Sequence, residues 1–115
     1  MDCLDSDFLI PVVIACDNDA ISAAHLILKN YHPRPYLFGY RFTFAQRLLF
    51  DCKRFSMEGE FAMVEDLCRF ASEIEPQGFP VLVYPDSMSD FIEKHSQKLE
   101  SRYVAINATG IITQK

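Results

Sequence analysis

Two short polar segments carry most of the chemistry that this 115-residue chain can offer. Cys16-Asp17-Asn18-Asp19 interrupts one apolar run, and Tyr84-Pro85-Asp86-Ser87 ends another. Carboxylates, amides and hydroxyls grouped this way can hold a cation, bind a polar ligand or cap a helix. The Asp17-Asn18-Asp19 triplet begins like a calcium loop but lacks that loop's glycine and its distant glutamate. Helix capping by Asp17 or Asn18 is the plainer role. Asp86 is open to the same role, because a helical pattern follows it.

Other chemistries fit poorly. His25, His32 and His95 share no metal-ligand spacing, and His95 falls on an apolar helix face, as a satisfied core-edge histidine does. Cys3, Cys16, Cys52 and Cys68 form no CxxC pair, so neither a zinc ribbon nor a thioredoxin-type site is supported. They read as structural thiols in a reducing compartment. No GKS or GKT occurs, which excludes a P-loop. A dinucleotide fold needs glycines after its first strand, whereas the first glycine here is Gly39. Asp17 and Asp19 would also repel a phosphate from a helix N-terminus that otherwise attracts anions. A response-regulator reading needs a phospho-acceptor Asp ending a central strand and a Lys ending the last. The third strand instead ends in Ser56-Met57 and the last at Asn107. A net charge of −5 argues against nucleic acid as a partner. The longest apolar runs fall well short of the ~20 residues a membrane span needs. The acidic N-terminus has no signal-peptide core, and a cytoplasmic protein is expected.

The elements that must position these segments alternate between strand and helix. Half of the residues are apolar, enough for one core. Residues 8–15 form a continuous apolar run typical of a strand covered on both faces, with Pro11 near its start. A helix from about residue 19 to 30 carries Ile21, Ala24, Leu28 and Tyr31 on its stripe, widened by Ala20, Ala23 and Ile27; His32-Pro33 ends it. Residues 35–40 read as a second strand in which Gly39 permits a close approach, 44–50 as a short helix and 52–57 as a short third strand. Phe61, Val64, Cys68, Ala71 and Ile74 mark an amphipathic helix over 58–74. FPVLVY at 79–84 is a second doubly buried strand. One helix follows it, bearing Met88, Phe91, Ile92, His95 and Leu99 on one face and starting at a Ser87/Asp90 capping-box spacing. A last strand covers 103–106.

This alternation predicts an α/β fold: a Rossmann-like three-layer α/β/α sandwich whose mainly parallel sheet has four to five strands, the first strand central. Residues 8–106 make up the domain. Residues 107–115, mixed in character and without cap or turn logic, are expected to be a tail leading to further sequence. Ligands of open parallel sheets bind at the carboxyl ends of the strands, where the strand order reverses. If the first strand lies between the second and the FPVLVY strand, Asp17, Asn18, Asp19, Tyr84 and Asp86 meet there. Such a corner suits an amine, a hydroxyl or an amide better than a phosphate.

From about Pro11 to Ile106 the chain resembles the N-terminal (pre-ATP-grasp) domain of ATP-grasp carboxylate–amine ligases, including the carbamoyl-phosphate-synthase-like members. The resemblance rests on PVVIACDNDAISAAHLIL as first strand and helix, on PYLFGYR, and on FPVLVYPDSMSDFIEKHSQKLESRYVAIN as strand, Asp, helix and short final strand. Asp86 matches the Asp that commonly follows that strand. The chain differs in having no glycine in its first turn, where many members carry one. The resemblance implies a Rossmann-like domain on the substrate side of the active site, with no catalytic residues of its own. ATP and magnesium are then expected in C-terminal ATP-grasp domains of the same protein. Those domains activate a carboxylate as an acyl phosphate for attack by an amine, so the present residues are expected to be inactive alone. The partners so implied are those domains and a polar small-molecule substrate; a homo-oligomer is compatible with the sequence but not specified by it. The alternative is a stand-alone α/β ligand-binding or protein-interaction module without catalysis.

Overall fold

The computed structural model describes residues 9–30 and 34–113. Apolar side chains make up its two central strands, β1 (Leu9–Ile14) and β4 (Phe79–Tyr84), which pair in parallel from Leu9 with Phe79 to Val13 with Val83. β1 also pairs with β2 (Tyr36–Gly39), β2 with β3 (Asp51–Arg54), and β4 with β5 (Val104–Asn107). The five strands are all parallel, in the order β3-β2-β1-β4-β5. The first strand is central, and each doubly apolar run has a strand on both sides.

Two prolines sit in this interior, where a missing N–H normally breaks a ladder. Both fall where the strand has only one neighbour. β1 meets β2 from Val12 onward, one residue after Pro11, and β4 meets β5 from Val81 onward, one residue after Pro80.

The two-residue period of the strands supplies two cores. Ile10, Val12, Ile14 and Leu82 face one side, against α3 (Glu60–Ile74), α4 (Ser89–Lys94) and α5 (Ser96–Glu100). Val13, Leu37 and Val83 face the other, against α1 (Asn18–Asn30) and α6 (Ala108–Thr113). A short helix, α2 (Phe44–Leu49), joins β2 to β3. Helices on both faces of a parallel sheet make the Rossmann-like three-layer sandwich that the alternation predicts.

Several elements differ from the sequence reading. α1 begins one residue earlier, at Asn18, and its buried face is Ala20, Ala23, Ala24 and Ile27, with Ile21 and Leu28 only half-buried. Small side chains let the helix lie close to the sheet, so they mark the contact better than the larger ones. Tyr31, His32 and Pro33 lie outside the described residues, as do Cys3 and Phe8. On α3 the core face is Met63, Leu67, Phe70 and Ile74 with Val64 and Ala71, while Phe61 is 73% exposed. The stripe is masked in sequence by Asp66, a buried carboxylate on that face. Asp66 accepts bonds from the Ser56 backbone N–H (2.8 Å), the Ser56 hydroxyl and Arg69 (3.0 Å). α2 keeps its expected place but buries no residue.

The single helix expected after FPVLVY is three pieces. A 3-10 turn, Asp86–Met88, precedes α4, and the chain changes direction at His95 before α5. The His95 ring is buried, with Nε2 2.8 Å from Glu60 Oε1 on α3 and the rings of Phe61 and Phe91 beside it. The helix breaks at that satisfied core-edge histidine, whose partner lies 35 residues away, where periodicity cannot register it. The residues expected as a tail also differ: Ala108–Thr113 form α6, which packs on α1 with Ala108 fully buried.

Candidate functional site

The strand order reverses between β1 and β4: the chain leaves β1 towards β2 and β3, and leaves β4 towards β5. The loops at the carboxyl ends of these two strands therefore lead off in opposite directions, which is where open parallel sheets place their ligands. Val13 pairs with Val83 near the ends of the two strands, so the loops start level with each other.

Asp17 joins them. Its Oδ1 accepts from the Ala20 backbone N–H at 3.2 Å, capping α1, and its Oδ2 accepts from the Ser87 hydroxyl at 2.7 Å. The short O–H···O⁻ contact is a charge-assisted bond linking the corner after β1 to the corner after β4. Ser87 thereby leaves the capping box expected of it; α4 has no side-chain cap. Asn18 and Asp19 lie in the first turn of α1, exposed and without a hydrogen-bond or ion-pair partner among the described residues.

Asp86 is exposed and caps no backbone N–H. Its Oδ1 accepts from Asn107 Nδ2 at 3.2 Å and from the Ser89 hydroxyl at 3.4 Å. Asn107 in turn accepts the Thr109 N–H on its Oδ1 at 2.8 Å, at the start of α6. A chain of side chains thus runs from the β4 loop to the end of β5, whose Asn107 is in register with Tyr84. Tyr84 is half-buried and packs on the α3–α5 core. It stands at the crevice end of β4 with its ring on the apolar side.

Two further features shape this edge. Gly39 ends β2 where a Cβ would stand 3.3 Å from the Ala15 carbonyl oxygen, so its lack of a side chain lets that oxygen come close. Cys16 lies at the corner after β1 and is exposed as a residue, contrary to the buried thiol its apolar flanks predict. Desolvation of the sulfur by the adjacent loops, and then the Asp17 charge, push its thiol up. A thiol held protonated is a poor nucleophile.

The fold thus brings Asp17, Asn18, Asp19 and Asp86 to one edge, joins Asp17 to Ser87, and turns Tyr84 towards the core. Asn107 is the participant that sequence reasoning missed, and Ser87, placed in the right loop, was read only as a helix cap. Asn107 carried a readable signal, an Asn directly before a helical Ala-Thr pair, which is cap chemistry. Among the described residues no group of three His, Cys, Asp or Glu side chains could hold a metal ion. No helix among them is long and apolar enough to cross a membrane. What the edge offers is carboxylate and amide hydrogen bonding without an activated nucleophile.

No family model matches the chain, and no curated protein or solved structure does either.

Proposed function

We propose that this chain is the substrate-side domain of an ATP-dependent, ATP-grasp-type carboxylate–amine ligase. In this reading its switch-point edge holds a polar small molecule through an amine, hydroxyl or amide. The observation that carries the reading is the 2.7 Å Ser87–Asp17 bond. It ties the two carboxyl-end loops into one rim and leaves Asn18 and Asp19 uncommitted beside it. Carboxylates accept from N–H and O–H donors, and protonated amines gain charge attraction as well.

The residues of this edge do not fit ATP. Asp19 sits in the first turn of α1, where a phosphate would otherwise be welcome, and no glycine there admits the backbone to it. ATP and magnesium belong in this reading to C-terminal ATP-grasp domains of the same protein. The present residues bind and orient the substrate.

The test uses the natural protein carrying those domains. Asp19→Ala is expected to lower turnover by about tenfold while leaving the melting temperature within error. Unchanged turnover would remove the edge from the substrate path. Calorimetry on the 115-residue chain with ATP is expected to give no micromolar binding; such binding would sink the division of labour.

A stand-alone interaction module is the second reading, favoured by the exposed Phe44 and Leu48 on α2, at 73% and 62%. A natural reading frame without a Lys-bearing strand and paired acidic residues beyond this domain would select it.

A further inference from the structure

We infer that the basic pocket between α3 and α5 is a second ligand site, built for a small phosphorylated molecule. The pocket measures about 380 Å³. Its charged and polar lining is Glu65, Cys68 and Arg69 from α3, facing Lys98, Ser101 and Arg102 from α5 and the turn after it. It adjoins the turn that leads into the start of β5, whereas the Asp17–Ser87 rim lies at the ends of β1 and β4. The inference is therefore independent of the ligase reading.

The chain carries a net charge of −5, yet three of its eleven cationic side chains converge on this one concavity against the single lining carboxylate of Glu65. Two of them are held in place from outside. Arg69 donates through Nη1 to Asp66 at 3.0 Å, and Arg102 through Nη1 to the Ser72 hydroxyl at 2.8 Å. Each guanidinium has five N–H donors in a rigid fork, so both keep donors free for an anion. Lys98 Nζ has no partner among the described residues. Asp66 screens part of the Arg69 charge, but it is buried behind it rather than in the lining.

Carbonyls at the end of a short helix would normally repel an anion. Here they are engaged: Lys98 O accepts the Ser101 hydroxyl at 2.6 Å and the Cys68 thiol at 3.9 Å, and Leu99 O accepts the Arg102 and Tyr103 N–H groups. Burial pushes the Cys68 thiol up; Arg102 and Lys98 pull against that and Glu65 adds to it, so charges of both signs are felt inside the pocket.

The arrangement selects the ligand class. Against Glu65 in the lining and Asp66 behind Arg69, the three cations leave one net positive charge, while two forked guanidiniums and an ammonium keep several N–H donors free. A phosphate monoester, anionic and with three acceptor oxygens, can take up those donors. The volume lies within the range of small-molecule sites and leaves room for an organic group next to Val64 and Cys68.

The probe is inorganic phosphate, titrated into the 15N-labelled 115-residue chain at fixed ionic strength, with chloride and acetate as controls. Saturable shifts confined to the amides around Arg69, Lys98, Ser101 and Arg102 are expected with phosphate alone. Lys98→Glu is expected to weaken that binding by at least about tenfold and Lys98→Arg to preserve it. The same spectra report whether each variant is folded, and Lys98→Gln, expected to lie between the two, replaces Lys98→Glu if that variant unfolds. Three results would each overturn the site: shifts that grow linearly with every salt, shifts that survive in Lys98→Glu, or a poly-glutamate peptide binding these residues where phosphate does not. The last would make the pocket a protein-docking surface.

Discussion

Asp17 performs two tasks with one carboxylate, and removing it separates them. Asp17→Ala loses the α1 cap and the bond from Ser87 and is expected to cost about 1–2 kcal/mol by urea unfolding. Ser87→Ala leaves the cap intact and Asp17 open to water, so about 0.5 kcal/mol is expected. If the two substitutions prove additive in a double-mutant cycle, the bond between the loops contributes nothing. Asp86→Ala removes contacts to Asn107 and Ser89 that are exposed and involve no backbone cap; its cost is expected to stay within about 0.5 kcal/mol. Glu60 is the residue with a pH signature. The bond from His95, and then that from Lys94, hold its carboxyl below the usual carboxylate value of 4.5. A depressed folded-state value means stability that is fully present above the ordinary value and lost as pH falls through the lowered one. The unfolding midpoint is thus expected to drop below about pH 4.5 more steeply in the native protein than in Glu60→Gln. Parallel pH profiles would count against the pair.

Among the elements, α3 and its entry are the most exacting. Gly59, the residue before α3, has φ +117°, a region that side chains other than glycine's rarely adopt, and nothing stands within 4 Å of a Cβ placed there. The cost of Gly59→Ala is therefore backbone strain alone, expected at about 1 kcal/mol in thermal unfolding. A neutral result would mean that the turn relaxes. α2 shows the opposite economy. It buries nothing, yet Thr43 and Gln46 close a reciprocal capping box, with bonds of 3.1 and 3.0 Å, that holds its first turn. Hydrogen bonding rather than burial defines that helix, with Arg34 donating to the Leu48 and Leu49 carbonyls at its other end.

At the scale of the molecule, α6 is part of the layer packed over the α1 side of the sheet. Ala108 is fully buried and Ile111 half-buried against the α1 side of the sheet. Truncation after Asn107 strips that cover and is expected to destabilise the fold by about 1–3 kcal/mol, read as a lower melting temperature. An unchanged melting temperature would show that α6 folds and unfolds apart from the sheet. The same truncation frees the Asn107 side chain, so amide shifts around Asp86 would report the coupling between α6 and the candidate rim.

The layered architecture was legible in the residues themselves, because period and composition act locally. Runs such as VVIA and FPVLVY suit strands covered on both faces, and their alternation with helical patterns points to a parallel sheet between helical layers. Asp17 as a cap was readable for the same reason, since it depends on a neighbour three residues on, and Gly39 was readable because only glycine leaves room for a close approach from any partner. The rest waited on contacts distant in sequence. Asp66 faces the core with its bonds supplied by Ser56 and Arg69, and the His95 ring at the helix break meets Glu60 on α3. Ser87 abandoned a local cap for a carboxylate 70 residues away, and Arg69 met Lys98 and Arg102 across two helices. Polar side chains choose their partners by geometry once the apolar layers are in place, so the rim and the basic pocket were decided by the tertiary structure alone.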